Sequence, residues 1–268
     1  MSEECIHGFT GGLCATCNPK PAPEAPPVTR TLTRSRAAVA AAPRASTRGT
    51  RAPTRAPASA APARSVLEQR IYHVTNIRNL PAVLADGALV AGSNPVIELS
   101  PPEQRAERAD VAVDAVNERS LDRYVPFFLS PDATLWQSLR AGSRHPRLSA
   151  AALAADTSEF VFLVSTVRQL VDSAREFAVA DGNAQGPTTR FASSREDADR
   201  MLHRLRSLDG GDGLLDAELL VHESLPFEAI TLIGVQNDKV RSAVRDVLGE
   251  SGFAPKISVY PPWFQVAD

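Results

Sequence analysis

Three thiolates and one imidazole fall within residues 5–17, spaced Cys5-x-His7-x6-Cys14-x-x-Cys17. Zinc prefers tetrahedral sulfur and nitrogen ligation, and a Cys-x-x-Cys pair grips one side of the ion. Gly8, Gly11 and Gly12 let so short a loop close. The spacing predicts a structural zinc, because four protein ligands leave no open position for catalysis. The chain has 3 Cys and none after Cys17, which excludes a disulfide framework for the remainder. Two other residues carry chemistry in less marked settings. Glu218 opens the apolar run Glu218-Leu-Leu-Val-His222, and His73 sits in the middle of Arg70–Thr75. A lone strand Glu is ordinarily a solvated edge residue, and a lone mid-strand His a satisfied core residue. Their meaning depends on what surrounds them.

The elements that must position these residues begin at about Leu67. Short runs rich in Val, Ile, Phe and Tyr, bounded by turn residues, read as strands: Arg70–Thr75, Tyr124–Leu129, Glu159–Val164, Phe177–Ala180, Glu218–His222, Ile230–Val235 and Ile257–Tyr260. Helical patterns lie between them. Arg78–Asp86 ends at Gly87, a C′ glycine, and Glu103–Asn117 is a stretch without Gly or Pro. Ser193-x-x-Glu196 reads as a capping box leading into Arg195–Leu208. Asp238–Leu248 follows a possible Asn237 cap and ends at Gly249. Strands and helices mix without regular βαβ alternation, which predicts an α+β class. The predicted organisation is a zinc-binding segment at 1–20, a linker at 21–66 and a folded domain at 67–268. The linker is rich in Pro, Ala, Arg, Ser and Thr and nearly free of large apolar side chains. Such a composition predicts disorder, because too little surface is buried to offset the ordering entropy.

Four segments, taken in order, resemble the DarT family of DNA ADP-ribosyltransferase toxins: Ile71-Tyr-His-Val-Thr-Asn-Ile-Arg-Asn-Leu80, Tyr124-Val-Pro-Phe-Phe-Leu-Ser-Pro131, Phe177-Ala-Val-Ala-Asp-Gly-Asn-Ala184 and Ala217-Glu-Leu-Leu-Val-His222. The resemblance covers roughly Gln69 to Val235. It implies an ADP-ribosyltransferase fold of two packed small β-sheets with flanking helices, and NAD⁺ as substrate. It also implies single-stranded DNA as partner and acceptor, with a macrodomain-type antitoxin as a possible second partner. Breaking the nicotinamide–ribose bond passes through an oxocarbenium-like state, so the enzyme must place negative charge near the ribose. In the family the Glu of A-E-x-L-V is the catalytic acid, and Glu218 is the matching position. The H-x-T of the first strand grips the ribose and nicotinamide amide, which assigns His73, Val74 and Thr75 to NAD⁺ binding, Val74 through its backbone. A family arginine that contacts NAD⁺ and helps activate the base matches Arg105, with Arg108 as fallback. Phe177–Ala184 and Gln185–Ser194 match the loop that reads the substrate, where Thr188, Thr189 and Arg190 could contact a base and a phosphate. Tyr124 and Phe127 either stack on unpaired bases or belong to the core.

The charge balance departs from this picture. Residues 21–66 carry eight Arg against the single acid Glu24, a net +7, whereas residues 67–268 carry 20 Lys+Arg against 28 Asp+Glu, a net −8. The segment before Glu218, Gly210-Gly-Asp-Gly-Leu-Leu-Asp216, is acidic where relatives are often basic. Phosphate attraction must then come from a local groove or from the Arg-rich arm. Two other readings compete: an ADP-ribosyltransferase acting on RNA or protein, and a zinc-containing adaptor that only binds nucleic acid. Retention of His73, Thr75 and Glu218 argues against the adaptor. No apolar run reaches the ~18 residues of a membrane helix, and the N-terminus lacks a secretory pattern, so a cytoplasmic location is expected.

Overall fold

A computed structural model describes residues 65–114, 116–249 and 251–266. The cysteine segment and nearly all of the basic arm lie outside these residues. The domain is anchored slightly earlier than the sequence implied: Ser65 caps a 3-10 turn, and Val66 already packs into the core.

The centre of the fold is β6 (Phe160–Thr166), whose first six residues are all buried. An unbroken apolar run suits a strand covered on both faces. On one side β6 pairs antiparallel along its whole length with β1 (Arg70–Asn76), from Arg70 opposite Thr166 to Asn76 opposite Phe160. On the other it pairs with β11 (Leu232–Val235), which is followed by a helix (Asp238–Leu248) and the parallel strand β12 (Lys256–Val259). Gly234 in β11 is required, because a Cβ there would lie 2.5 Å from the Trp263 ring. Beyond β1 the sheet continues through β5 (Tyr124–Phe128), β9 (Glu218–His222), β7 (Phe177–Ala180) and β8 (Phe191–Ala192). Two short ladders stand apart: β2 (Ala88–Val90) with β10 (Ser224–Pro226), and β3 (Ala112–Asp114) with β4 (Arg119–Ser120).

The resemblance implied two small packed sheets, whereas the ladders trace one eight-stranded sheet made of two four-stranded halves. The halves meet at a single pair, Tyr72 opposite Phe128. Two side chains stitch the seam beside it: Gln69 Nε2 donates to Leu129 O at 3.0 Å, and His73 Nδ1 donates to Pro126 O at 2.9 Å. A cleft opens at this seam, lined from both strands by residues that include His73, Thr75, Pro126 and Phe128.

Helices and two main cores hold the halves. One core gathers Ile71, Phe127, Leu163 and Leu219 beneath α6 (Arg195–Ser207) and α7 (Asp238–Leu248). The other is an aromatic cluster of Tyr72, Trp136, Phe160, Phe162, Trp263 and Phe264. Trp136 Nε1 donates to Trp263 O at 2.6 Å, which gives the buried indole N–H the partner it needs. α1 (Leu80–Asp86) ends at Gly87 in the left-handed region, φ 64°, as expected of a C′ glycine.

Two local expectations are corrected. The helix expected over Glu103–Asn117 stops early: α2 (Pro102–Glu107) passes through a 3-10 turn into β3. Asp114 ends that strand by accepting from the N–H groups of Val116 and Asn117, an Asx-type turn that competes with helix. The cap of α6 is Ser194, not Ser193. Its Oγ accepts from Asp197 N at 3.2 Å, one residue later than the expected Ser193/Glu196 box.

Candidate active site

The cleft at the seam has a volume of about 750 Å³, and its lining includes His73, Thr75, Arg105, Arg108, Arg147 and Glu218. That size lies in the upper part of the range for small-molecule and cofactor sites. Every described residue assigned from sequence to NAD⁺ or to chemistry therefore faces one space, Val74 included. The side chain of Val74 packs into the aromatic cluster. Cys5, His7, Cys14 and Cys17 lie outside the described residues. Among the described residues no group of three or more His, Cys, Asp or Glu could hold a metal ion.

On the β1 wall each polar side chain is held by a hydrogen bond to the protein and keeps one group open. A carbonyl only accepts, so His73 Nδ1 carries the proton in its bond to Pro126 O, and a neutral ring then leaves Nε2 as an acceptor. Burial lowers the His73 pKa below its ordinary value, and the bond to Pro126 opposes this only in part. Thr75 is 8% exposed, and its Oγ1 accepts from Asn79 Nδ2 at 2.9 Å. The Thr75 hydroxyl proton therefore remains free to donate to a ligand. Asn79 also grips the backbone of Ile97 from both sides: Nδ2 donates to Ile97 O at 2.8 Å, and Oδ1 accepts from Ile97 N at 2.9 Å.

From Ile97 the chain runs as a strap to the opposite wall. Ser149 holds its far end, donating from Oγ to Glu98 O at 2.6 Å and from N to Leu99 O at 2.8 Å. The same Oγ accepts from Ala152 N and caps α4 (Ala150–Ala154). Two residues before Ser149, Arg147 Nη2 donates to Glu218 Oε1 at 2.6 Å. Glu218 is 1% exposed, buried rather than at a solvated edge. Its Oε2 and Arg147 Nε are both buried without a hydrogen-bond partner.

The two candidate arginines do different things. Arg105 pairs with Glu98 on the strap and is partly exposed at the rim. Arg108 donates from Nη2 to Leu121 O and Tyr124 O, both at 3.0 Å, and so holds the start of β5. Burial lowers the Arg108 pKa, and the Glu218 charge opposes that shift. Neither bonds to Glu218. Arg147, which does, was not singled out in the sequence. It lies in a loop 71 residues from its partner, and nothing in its neighbours marks it.

The loop between β7 and β8 is built by its own side chains. Thr189 Oγ1 donates to Asn183 O at 2.6 Å, so this hydroxyl is committed to the loop, whereas Thr188 and Arg190 are exposed. Gln185 Nε2 ties the loop to Gln104 O at 2.8 Å. The aromatic question resolves as core: Phe127 is 1% exposed and Tyr124 3%, though Tyr124 also borders the cleft.

The same fold occurs in an ADP-ribosyltransferase of known structure. The protein described as Thermus sp. 2.9 DarT in complex with ADP-ribosylated ssDNA superposes with TM-score 0.63 at 19% identity, covering 74% of this chain and 97% of that one. The same protein in complex with NAD⁺ gives TM-score 0.58 at 22% identity, covering 74% and 98%. A Mycobacterium tuberculosis protein named DNA ADP-ribosyl transferase is 24% identical over 206 residues, 71% of this chain and 86% of that protein. The family model described as "ssDNA thymidine ADP-ribosyltransferase, DarT" matches residues 72–265. The chain belongs to the DarT family.

Proposed function

We propose that this chain transfers ADP-ribose from NAD⁺ to a thymidine base of single-stranded DNA, acting as a toxin or phage-defence effector in the cytoplasm. The observation that carries the proposal is the buried Glu218 carboxylate, held by Arg147 in a cleft whose lining also includes His73 and Thr75. In this reading His73 Nε2 accepts from a ribose hydroxyl, Thr75 donates to the nicotinamide amide, and the backbone of Val74 lines the same subsite. Arg105 contacts NAD⁺ from the rim and assists the acceptor base. Glu218 stabilises the oxocarbenium-like centre as the C1′–nicotinamide bond breaks and nicotinamide leaves. A nitrogen of the base then bonds to C1′, and its proton passes to Glu218.

Support comes from the family membership and from the neutral, donor-and-acceptor character of the β1 wall, which suits an uncharged amide and ribose. Incubation of the full chain with labelled NAD⁺ and single-stranded DNA, duplex DNA, RNA or protein tests it. Label is expected on single-stranded DNA containing thymidine, and label confined to RNA or protein would replace this acceptor with the competing one. A macrodomain-type hydrolase that removes the label is the expected antitoxin. The zinc at Cys5, His7, Cys14 and Cys17 remains part of the proposal on ligand spacing alone, and metal analysis of the full chain should return about one zinc.

A further inference from the structure

The domain is acidic, yet its proposed acceptor is a polyanion, so some local feature must hold phosphate. The sheet face that carries Glu218 continues along β9 and β5, with Glu218 opposite Phe128, Leu220 opposite Pro126 and His222 opposite Tyr124. Four residues along, roughly 13 Å at the rise of a strand, a second cleft of about 380 Å³ opens. Tyr124 lines both clefts and forms the partition between them.

The charged side chains of this second cleft other than Arg175 have partners of their own. Asp114 is consumed by Val116 N, Asn117 N and Asn117 Nδ2, which close its turn. Glu176 is taken by Arg119 at 2.6 Å. Arg195 pairs with Asp199 at 3.0 Å, its guanidinium lying over the Phe177 ring 5.6 Å from the centroid. Arg175 is left over. It makes no ion pair among the described residues, its Nε is buried without a partner, and its Nη1 has only a long 3.5 Å contact with Ser224 Oγ. Its backbone is fixed, because Ala174 adopts φ 50° and Arg175 N donates to Leu170 O at 2.8 Å. A guanidinium in a cleft with no ion-pair partner of its own and donors still open is a receptor for a tetrahedral oxyanion.

We propose that this second cleft is a phosphate subsite for the acceptor strand. Arg175 takes the backbone phosphate of a nucleotide a few positions from the modified base, and Tyr124 separates that nucleotide from the NAD⁺ cleft. The inference rests on the single-stranded acceptor of the proposed function. It places the phosphate grip inside the folded domain, in addition to anything the Arg-rich arm contributes.

The test is a scan of a single-stranded oligonucleotide in which one phosphate at a time is made a neutral methylphosphonate. With the full chain, one position away from the modified nucleotide should raise KM for DNA about tenfold, the size of one charge-assisted contact. Arg175→Gln should raise KM for the unmodified oligonucleotide by a similar factor and become indifferent to that position. It should also flatten the salt dependence by about 0.7 in log–log slope, one phosphate on a single strand. KM for NAD⁺ should stay as it was. Arg175→Lys, which keeps the charge, should show a smaller loss and retain the position effect. An Arg175→Gln protein as sensitive as the parent at every phosphate would overturn the subsite while leaving the reaction intact. Failure of the parent chain to label any DNA, with NAD⁺ bound, would instead overturn the acceptor and the subsite together.

Discussion

The two walls of the main cleft are built on opposite principles. On the β1 wall Asn79 makes three hydrogen bonds, Thr75 is fixed by one of them, and His73 is neutral and tied to Pro126 O. On the β9 wall a buried carboxylate is paired with a half-buried guanidinium, each with an atom that has no partner. A satisfied neutral wall costs little and presents fixed donors and acceptors, as binding requires. A buried charged pair costs desolvation and is weak evidence for stability. In the proposed reaction its value lies in holding charge ready where charge develops. On that proposal the first wall is expected to hold the dinucleotide and the second to break it.

The sharpest way to break the comparison is Glu218→Gln, which keeps shape and removes charge. Transfer to DNA should fall on the order of 10²-fold or more, with the dissociation constant for NAD⁺ nearly unchanged by calorimetry. A loss of NAD⁺ affinity in step with activity would merge the two walls into one binding surface. Next in size is Arg147→Met. It leaves Glu218 buried and unpaired, so thermal or denaturant unfolding should show a loss of about 3 kcal/mol and kcat should fall at least tenfold. Combining it with Glu218→Gln should restore part of that stability, because the uncompensated charge is gone. Additive losses in the double variant would show that the pair is not coupled.

The β1 wall entered through the family resemblance, whose H-x-T falls on His73, Val74 and Thr75, whereas residue type alone left His73 as a core histidine. The motif can be matched because its residues are adjacent on one strand, which fixes neighbours relative to one another. Glu218 was likewise singled out by the resemblance, since a strand Glu alone reads as a solvated edge residue, and β7, β9 and α7 fall where their periodicity and caps placed them. Arg147 was not visible, because its role depends on a loop closing 71 residues away from Glu218. The helices Thr134–Arg140, Ala150–Ala154 and Val167–Asp172 were also missed. Segments of five to seven residues are too short to be helical on their own, and packing rather than periodicity decides them. The seam between the sheet halves left no mark in composition, since one residue pair makes it.

The strap offers a finer separation of the walls. Asn79→Ala removes the bonds to Thr75 and Ile97, so KM for NAD⁺ should rise about tenfold with kcat reduced far less. Ser149→Ala removes the Oγ bond to Glu98 O near Arg147 and keeps the backbone bond to Leu99 O, so its loss of a few-fold should appear in kcat with KM for NAD⁺ held. Ser149→Thr, which keeps the hydroxyl, should recover most of that loss. Equal changes in both constants for both variants would show that the strap only stabilises the fold.

The smallest expected effect concerns protons on His73 and distinguishes holding from folding. Burial lowers the pKa of His73 below the ordinary 6.5, so the unfolded chain takes up this proton at a higher pH than the folded one. The stability contributed by the neutral ring is therefore fully present above pH 6.5. It is lost as pH falls from there toward the lowered folded value. NAD⁺ affinity follows a different course, because binding starts from the folded protein, whose ring takes up its proton at a lower pH than the unfolded chain does. Unfolding midpoints should begin to drop below pH 6.5 while the dissociation constant for NAD⁺ stays level, weakening only at lower pH. His222, whose pKa burial also lowers, adds to the first slope and lies outside the NAD⁺ cleft lining. The variant that isolates His73 is His73→Asn, whose amide N–H can replace Nδ1–H toward Pro126 O without titrating. It should remove part of the stability slope between pH 7 and pH 5.5 and leave the His222 share. An NAD⁺ affinity in the parent chain that strengthens on acidification would show the ring to act as a cation, and the β1 wall could no longer be described as neutral.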